Sequence, residues 1–364
     1  MVYLDANATE PLRPEARAAM LAALDVTGNP ASVHAAGRAA RRILEDARES
    51  LAARFDAPAQ NLVFTSGGTE ADALAIHALG AGRRVIVGAT EHDAVRSAPA
   101  ASTLPVDRDG IADLGTLAAW LADGPPALVC LMLANNETGT IQPVAAAAEL
   151  CRRHGALLHV DAVQAAGRID VRLSALGAHS LAVSSHKLGG PPGAGALLLA
   201  PEVAAIAPLI AGGGQERGRR GGTPPLPAIA GFAAAASVAS GAANLAPLRD
   251  AAEAAAVAEG ATVCGAGAAR LANAACLALP GVRADAQVIA LDLAGIAVSA
   301  GAACSSGKVT ASHVLAAMGL GRLAGQAIRV SLPWNATRDD IAGLAVAYRS
   351  MAGRLRAVLA PRAA

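Results

Sequence analysis

Short apolar runs alternate with longer stretches in which apolar residues recur every three or four positions. Arg84-Val85-Ile86-Val87, Leu128 to Leu133, Leu157-Leu158-His159-Val160 and Ala196 to Leu199 are compact runs bounded by polar residues. Such runs suit buried strands of a parallel sheet. Ile43, Leu44, Ala47 and Leu51 recur at helical spacing among Arg41, Arg42, Glu45, Asp46 and Arg48, which predicts an amphipathic helix. Val144 to Arg153 reads as another helix, so strands and helices alternate in βα order. The Ala-rich stretch from about Ala228 to Ala258 predicts one long helix bridging a large domain and a C-terminal one. Beyond it, Gln287 to Leu291 and Ile328 to Leu332 read as strand-like runs among helices. No internal repeat is visible.

Length and composition sharpen this picture. The chain has 364 residues, which fits one large domain plus a smaller one. Hydrophobic residues make up 54% and aromatics only 2%, so Ala, Leu and Val must fill the core. Thirty basic residues against 29 acidic ones leave a net charge of +1. That balance gives no electrostatic argument for nucleic acid or for an anionic membrane surface. The cysteines (Cys130, Cys151, Cys264, Cys276 and Cys304) are widely spaced and form no C-x-x-C pair. This is not a disulfide framework, and it suggests a reducing cytoplasm. The start, Met1-Val2-Tyr3-Leu4-Asp5, shows no secretory signal pattern. Gly221 to Leu248 carries no charge, but its alanines insert weakly and Pro224, Pro225 and Pro227 interrupt it. It reads as a buried helix of a soluble domain rather than a membrane span.

Five motifs carry candidate chemistry. Lys187, in Ser185-His186-Lys187-Leu188-Gly189-Gly190, follows a predicted strand and precedes a Gly/Pro loop. Alone, it is an ordinary surface lysine. Asp161, in His159-Val160-Asp161-Ala162-Val163-Gln164, ends an apolar strand, where open α/β sheets place their ligands. It could cap a helix, or hold a proton on a pyridine nitrogen. A lysine together with such an acid is the pair that pyridoxal phosphate (PLP) enzymes need. Gln164 can offer an amide hydrogen to the ring phenolate. Thr65-Ser66-Gly67-Gly68-Thr69-Glu70 lies between a strand (Leu62 to Phe64) and a helix (Ala71 to Leu79), where backbone N–H groups suit a phosphate. His92, in Glu91-His92-Asp93, is either a structural histidine or one that stacks on a cofactor ring and moves protons. Cys304 sits among small residues between Gly301 and Gly307, the setting of a group that must move. Cys130 instead suits a buried hydrophobe.

In this order, the five motifs resemble the NifS-like cysteine desulfurases, in the class-V aminotransferase group of PLP enzymes. Tyr3-Leu4-Asp5, Gly28 to Ser32, Asn135 to Gly139, Gly212 to Arg217 and Ile328 to Leu332 extend the likeness from Tyr3 to about Ala345. The resemblance implies the type I fold of PLP-dependent transferases. In α/β terms, that is a large domain (15–245) with a mostly parallel seven-stranded sheet, and a smaller α+β domain (1–14 and 246–364). It implies that Lys187 binds the cofactor covalently, that Asp161 faces the pyridine nitrogen and Gln164 the phenolate oxygen, and that His92 stacks on the ring. Gly68, Thr69, Ser184 and His186 would hold the phosphate. Thr223 would reach the phosphate bound in a partner subunit, which implies a homodimer. Asn136 and Arg329 would hold the substrate, with Arg329 on its carboxylate. Cys304 would be the nucleophile that receives sulfur from L-cysteine, leaving alanine and a persulfide for an acceptor protein in iron–sulfur cluster assembly or thiolation. No metal is implied. The family usually has threonine where this chain has Glu10, and often tyrosine and lysine where it has Gly189 and Pro192.

Three alternatives compete. A selenocysteine lyase or another class-V lyase or aminotransferase would use the same scaffold, though simple transamination needs no thiol. A non-catalytic scaffold for a sulfur acceptor would not need Lys187, Asp161, His92 and Cys304 together. A metal site drawn from His159, Asp161 and His186 matches no known ligand spacing.

Overall fold

The computed structural model describes residues 1–301 and 311–359. The chain opens with β1 (Val2–Tyr3) and then builds the large sheet from β2 (Leu62–Thr65), β3 (Arg84–Gly88), β4 (Ser102–Leu104), β5 (Ala127–Cys130), β6 (Leu157–Asp161), β7 (Ser180–Ser184) and β8 (Gly195–Leu199). Its strand order is β2-β8-β7-β6-β5-β3-β4. The pairs from β4 through β7 are parallel. Every residue of β2, β5, β7 and β8 is buried, as expected for strands covered on both faces.

Beyond the sheet follow β9 (Thr262–Val263), β10 (Ala274–Ala278), β11 (Ile296–Ala297), β12 (Ser299–Ala300) and β13 (Ala327–Ser331). A four-stranded sheet runs β12-β13-β10-β9, and β1 pairs with β11 in parallel. A second core gathers Leu4 with Leu277, Leu291, Ile328, Val330 and Tyr348. The main core is largely aliphatic; Phe55 and Phe232 are among its few aromatic members.

The helix predicted around Ile43 to Leu51 spans Ala35–Arg54 and is capped by His34 Nδ1, which accepts from Gly37 N–H at 3.2 Å. It buries Ala40, Leu44, Ala47, Leu51 and Ala52, a stripe at helical spacing. The helix predicted at Val144–Arg153 has those bounds.

Three expectations are corrected. First, β8, read as a strand of a parallel sheet, runs antiparallel to both β2 and β7. The link from β7 is too short for the helical crossover that parallel pairing demands. It contains only the 3₁₀ turn Ser185–Lys187. Second, the predicted long helix is two helices, Leu226–Val238 and Ala246–Ala258. Gly241 (φ 54°) turns the chain between them, and Pro247 sits in the first turn of the second helix, where its missing N–H costs nothing. Together with the 3₁₀ turn Ala243–Leu245 they bend by 70°, and among the described residues no single helix is long and apolar enough to cross a membrane. Third, Gln287 to Leu291 is not a strand but part of the helix Ala284–Leu293. That helix buries Ala284, Gln287 and Leu291 while leaving Ile289 and Leu293 exposed. Its apolar residues serve a helical face rather than a sheet.

Candidate active site

The C-terminal edge of the large sheet gathers the predicted residues. Asp161 ends β6, and Ser184 ends β7 just before the turn that carries His186 and Lys187. Beyond β2, the helix Gly68–Leu79 begins with Gly68 and Thr69, and His92 follows β3. From the smaller sheet, β13 contributes Arg329. A cavity of about 310 Å³ is lined by Gly68, Thr69, His92, Asn136, Asp161, Gln164, Ser184, His186, Lys187 and Arg329. Thr223 stands apart, exposed in a separate hollow with Ser66, Glu216 and Arg220. The Arg220–Glu70 ion pair (2.8 Å) ties that loop to the first turn of the Gly68 helix. Cys304 lies outside the described residues.

Local bonds set the orientation of these groups. Asp161 Oδ1 accepts the Val163 N–H at 2.8 Å and closes a turn; no helix begins there, so Asp161 is not a helix cap. His92 Nδ1 accepts the Ala94 N–H at 3.1 Å, which puts the proton of the neutral ring on Nε2. Lys187 Nζ donates to the carbonyls of Asn7 and Ala8 at 2.6 and 2.8 Å. Arg329 donates to Asp5 Oδ1 at 2.8 Å and to the Asn136 carbonyl at 3.2 Å.

Burial dominates the electrostatics. It pushes the Asp161 carboxyl from the usual 3.8 up to about 7, helped by the like charge of Asp72. Burial raises Asp72 itself to about 8 and lowers His159 to about 4. His159 Nε2 lies 3.0 Å from Asp72 Oδ1 and its Nδ1 lies 2.8 Å from Ser180 Oγ. Both ring nitrogens are thus engaged in a buried network behind Asp161. Burial, with Lys187 and Arg168 close by, also lowers His186 to about 4.

The sequence reading missed Asn7, Asp72, Glu91 and Arg168. Asp72 lines the cavity three residues, or about one helical turn, beyond Thr69. A carboxylate on an otherwise apolar helix stretch was the available signal. Glu91 is fully buried beside Asp161 and Asp72, and its carboxyl is pushed well up, mainly by burial. Asn7 acts through its backbone carbonyl, which leaves no mark in the side-chain pattern.

A class-V aminotransferase family model matches residues 2–344. The chain belongs to that family. A cysteine desulfurase of Cereibacter sphaeroides is 43% identical, over 98% of this chain and 97% of that protein. An IscS-like cysteine desulfurase of Mycobacterium tuberculosis is 38% identical, over 99% and 98%. The solved structure of a NifS-like protein from Rickettsia africae superposes with a TM-score of 0.89 at 31% identity, covering 96% of this chain and 99% of that one.

Class-V aminotransferases depend on PLP, and the cavity fits it. Ser184 Oγ is buried without a partner among the described residues, beside the N-terminus of the Gly68 helix. A hydroxyl at a helix N-terminus is what a phosphate requires. At Gly68 any Cβ would come within 2.6 Å of Val163 Cγ2, so the backbone there is held bare. A buried acid, Asp161, and an amine, Lys187, line the same cavity, the pair of groups that such a cofactor needs.

Proposed function

We propose that this chain is a cysteine desulfurase that converts L-cysteine and the Cys304 thiol into L-alanine and a Cys304 persulfide. The observation that carries the reading is the convergence of Lys187, Asp161, Gln164 and Arg329 on one cavity. The names of the relatives at 43% and 38% identity supply the substrate.

Lys187 would hold the cofactor, with Asp161 on its ring nitrogen, Gln164 on its phenolic oxygen and His92 over its face. Gly68, Thr69, Ser184 and His186 would bind its phosphate. When bound, pyridoxal phosphate supplies the electron sink for charge left at the substrate's Cα. Arg329, steered by Asp5, takes the substrate carboxylate, and Asn136 lies beside it. Lys187 moves the Cα proton. Cys304 Sγ attacks the substrate sulfur as a thiolate: the Cβ–S bond breaks, an S–S bond forms, and protons return to carbon. An ordinary cysteine is mostly protonated at neutral pH, so this step needs a base. A sulfur-acceptor protein then removes the outer sulfur. The reading includes a homodimer in which Thr223 reaches the partner's phosphate, and a reducing, cytoplasmic setting.

The test is incubation of purified protein and PLP with L-cysteine and a thiol reductant, following alanine and sulfide together. Equal yields, lost in Cys304→Ser while PLP stays bound, support the reading. Bound PLP without either product refutes the substrate assignment.

A further inference from the structure

Glu10 is where this chain departs from the threonine usual in the family. In the fold it meets Arg168, a residue 158 positions away, at 3.2 Å, and both side chains are buried. Arg168 Nη1 in turn donates to Gln164 Oε1 at 2.7 Å and to the Gln164 carbonyl at 2.8 Å. We propose that Arg168, anchored by Glu10, is a positioning residue that locks the Gln164 amide with its NH₂ toward Lys187 and the phenolic oxygen of the cofactor. The proposal rests on the PLP reading above.

The two ends of a glutamine amide have nearly the same shape, so their neighbours decide which way it faces. Here both ends are determined. A guanidinium only donates, so the atom it meets must be the amide oxygen. At the other end Gln164 Nε2 lies 3.0 Å from the Asn7 carbonyl, which only accepts. The same carbonyl takes Lys187 Nζ at 2.6 Å, so the amide nitrogen and the lysine amine flank one oxygen. An amide nitrogen carries two hydrogens, and the Asn7 carbonyl uses one. The other is available to a cofactor oxygen beside Lys187.

Glu10 completes the device. Its second oxygen accepts the Trp334 N–H at 2.7 Å, and Trp334 stacks under Arg13, with the guanidinium 4.9 Å from the ring centroid. Arg13 packs where a side chain at Gly189 would stand: a Cβ there would come within 2.7 Å of Arg13 Cγ, at φ +86°. The departures at positions 10 and 189 therefore belong to one packed cluster behind Lys187. A threonine at position 10 could not neutralise a buried guanidinium; the Glu10 carboxylate does.

A donor on the phenolic oxygen stabilises its charged form, so losing the donor raises the pH midpoint of the bound cofactor's visible absorption. The experiment is a pH titration of that band in PLP-loaded wild type, Gln164→Ala, Arg168→Met and the Gln164→Ala/Arg168→Met double variant. Gln164→Ala and Arg168→Met should each raise the midpoint by about one pH unit, a tenfold change in proton affinity. The double variant should match Gln164→Ala alone, because Arg168 acts only through Gln164. Arg168→Met strands a buried carboxylate, so Glu10→Gln/Arg168→Met, which neutralises both partners, serves if the single variant fails to fold; its midpoint should rise equally. An unmoved midpoint in the Arg168 variants beside a shifted one in Gln164→Ala overturns the proposal, as do additive shifts. A wild type with no PLP band instead refutes the cofactor reading itself.

Discussion

Arg48 and Arg329 are equally hidden, each with a side chain 4% exposed, yet they are used differently. Arg48 donates to both oxygens of Glu216 at 2.8 Å, to Glu45 at 3.1 Å and to the Leu62 carbonyl at 3.0 Å. Glu216 also takes the Phe64 N–H at 2.9 Å. This knot holds the backbone at Glu216 and Arg217, where φ is 49° and 59°, in the loop that leads to Thr223. Among the described residues Arg329 has two partners, and its buried Nε has none. Ser184 Oγ and Asn136 Oδ1 share that condition around the same cavity. A buried polar group left unmatched lowers stability, and where it faces a cavity a ligand can complete it. Between these two arginines, full pairing goes with the scaffold and incomplete pairing with the cavity, although among the described residues unpartnered buried atoms also occur in the scaffold, at Gln287 Oε1 and Tyr348 Oη.

Breaking the scaffold pair should have the largest effect. Arg48→Met leaves the Glu216 carboxylate buried and should cost about 3–5 kcal/mol in urea unfolding. A loss under about 1 kcal/mol would mean that the knot is replaceable. Arg329→Met should lose less stability, but its kcat/KM for L-cysteine should fall by about 100- to 1000-fold, or roughly 3–4 kcal/mol. Equal stability losses at the two arginines would erase the distinction.

The buried carboxyls predict a pH dependence. Asp72 at about 8 and Asp161 at about 7 are raised in the folded protein from the usual 3.8. Their favourable contribution is full below about pH 4 and is lost as pH rises through those values. His159, lowered from 6.5 to about 4, acts oppositely and only below about 6.5. His186, also lowered to about 4, acts as His159 does, so above about pH 6.5 the carboxyls dominate. Cofactor-free protein should therefore lose about 1–2 kcal/mol between pH 6.5 and 8, and Asp72→Asn should flatten the fall. A stability flat or rising over this window would contradict the carboxyl assignment. The smallest effect is at Ser184. Ser184→Ala should leave the melting temperature of the cofactor-free protein unchanged or higher, and weaken PLP binding about tenfold, or roughly 1.4 kcal/mol.

The same contrast explains what could be read along the chain. Strand-end motifs such as Asp161-to-Gln164 and Ser184-to-Lys187 are local, so their residue types and order were legible, and the fold gathers them on one sheet edge. The helices at Ala35–Arg54 and Val144–Arg153 declared themselves by period. Pairings across long separations left no local trace: Glu10 with Arg168, Arg48 with Glu216, Asp72 with His159. Gln287 to Leu291 misled because apolar residues on an exposed helix face break the period that marks a helix. The antiparallel β8 was hidden because a uniformly buried run reads alike in either direction.

The cavity built around Lys187 is a cofactor site. The chain contains only two lysines, Lys187 and Lys308, which makes one measurement decisive. PLP-loaded protein is reduced with borohydride, digested, and its lysine peptides are weighed. The added mass of the reduced cofactor should fall on the Lys187 peptide and be lost in Lys187→Ala. Mass on the Lys308 peptide, or on neither, would contradict this placement.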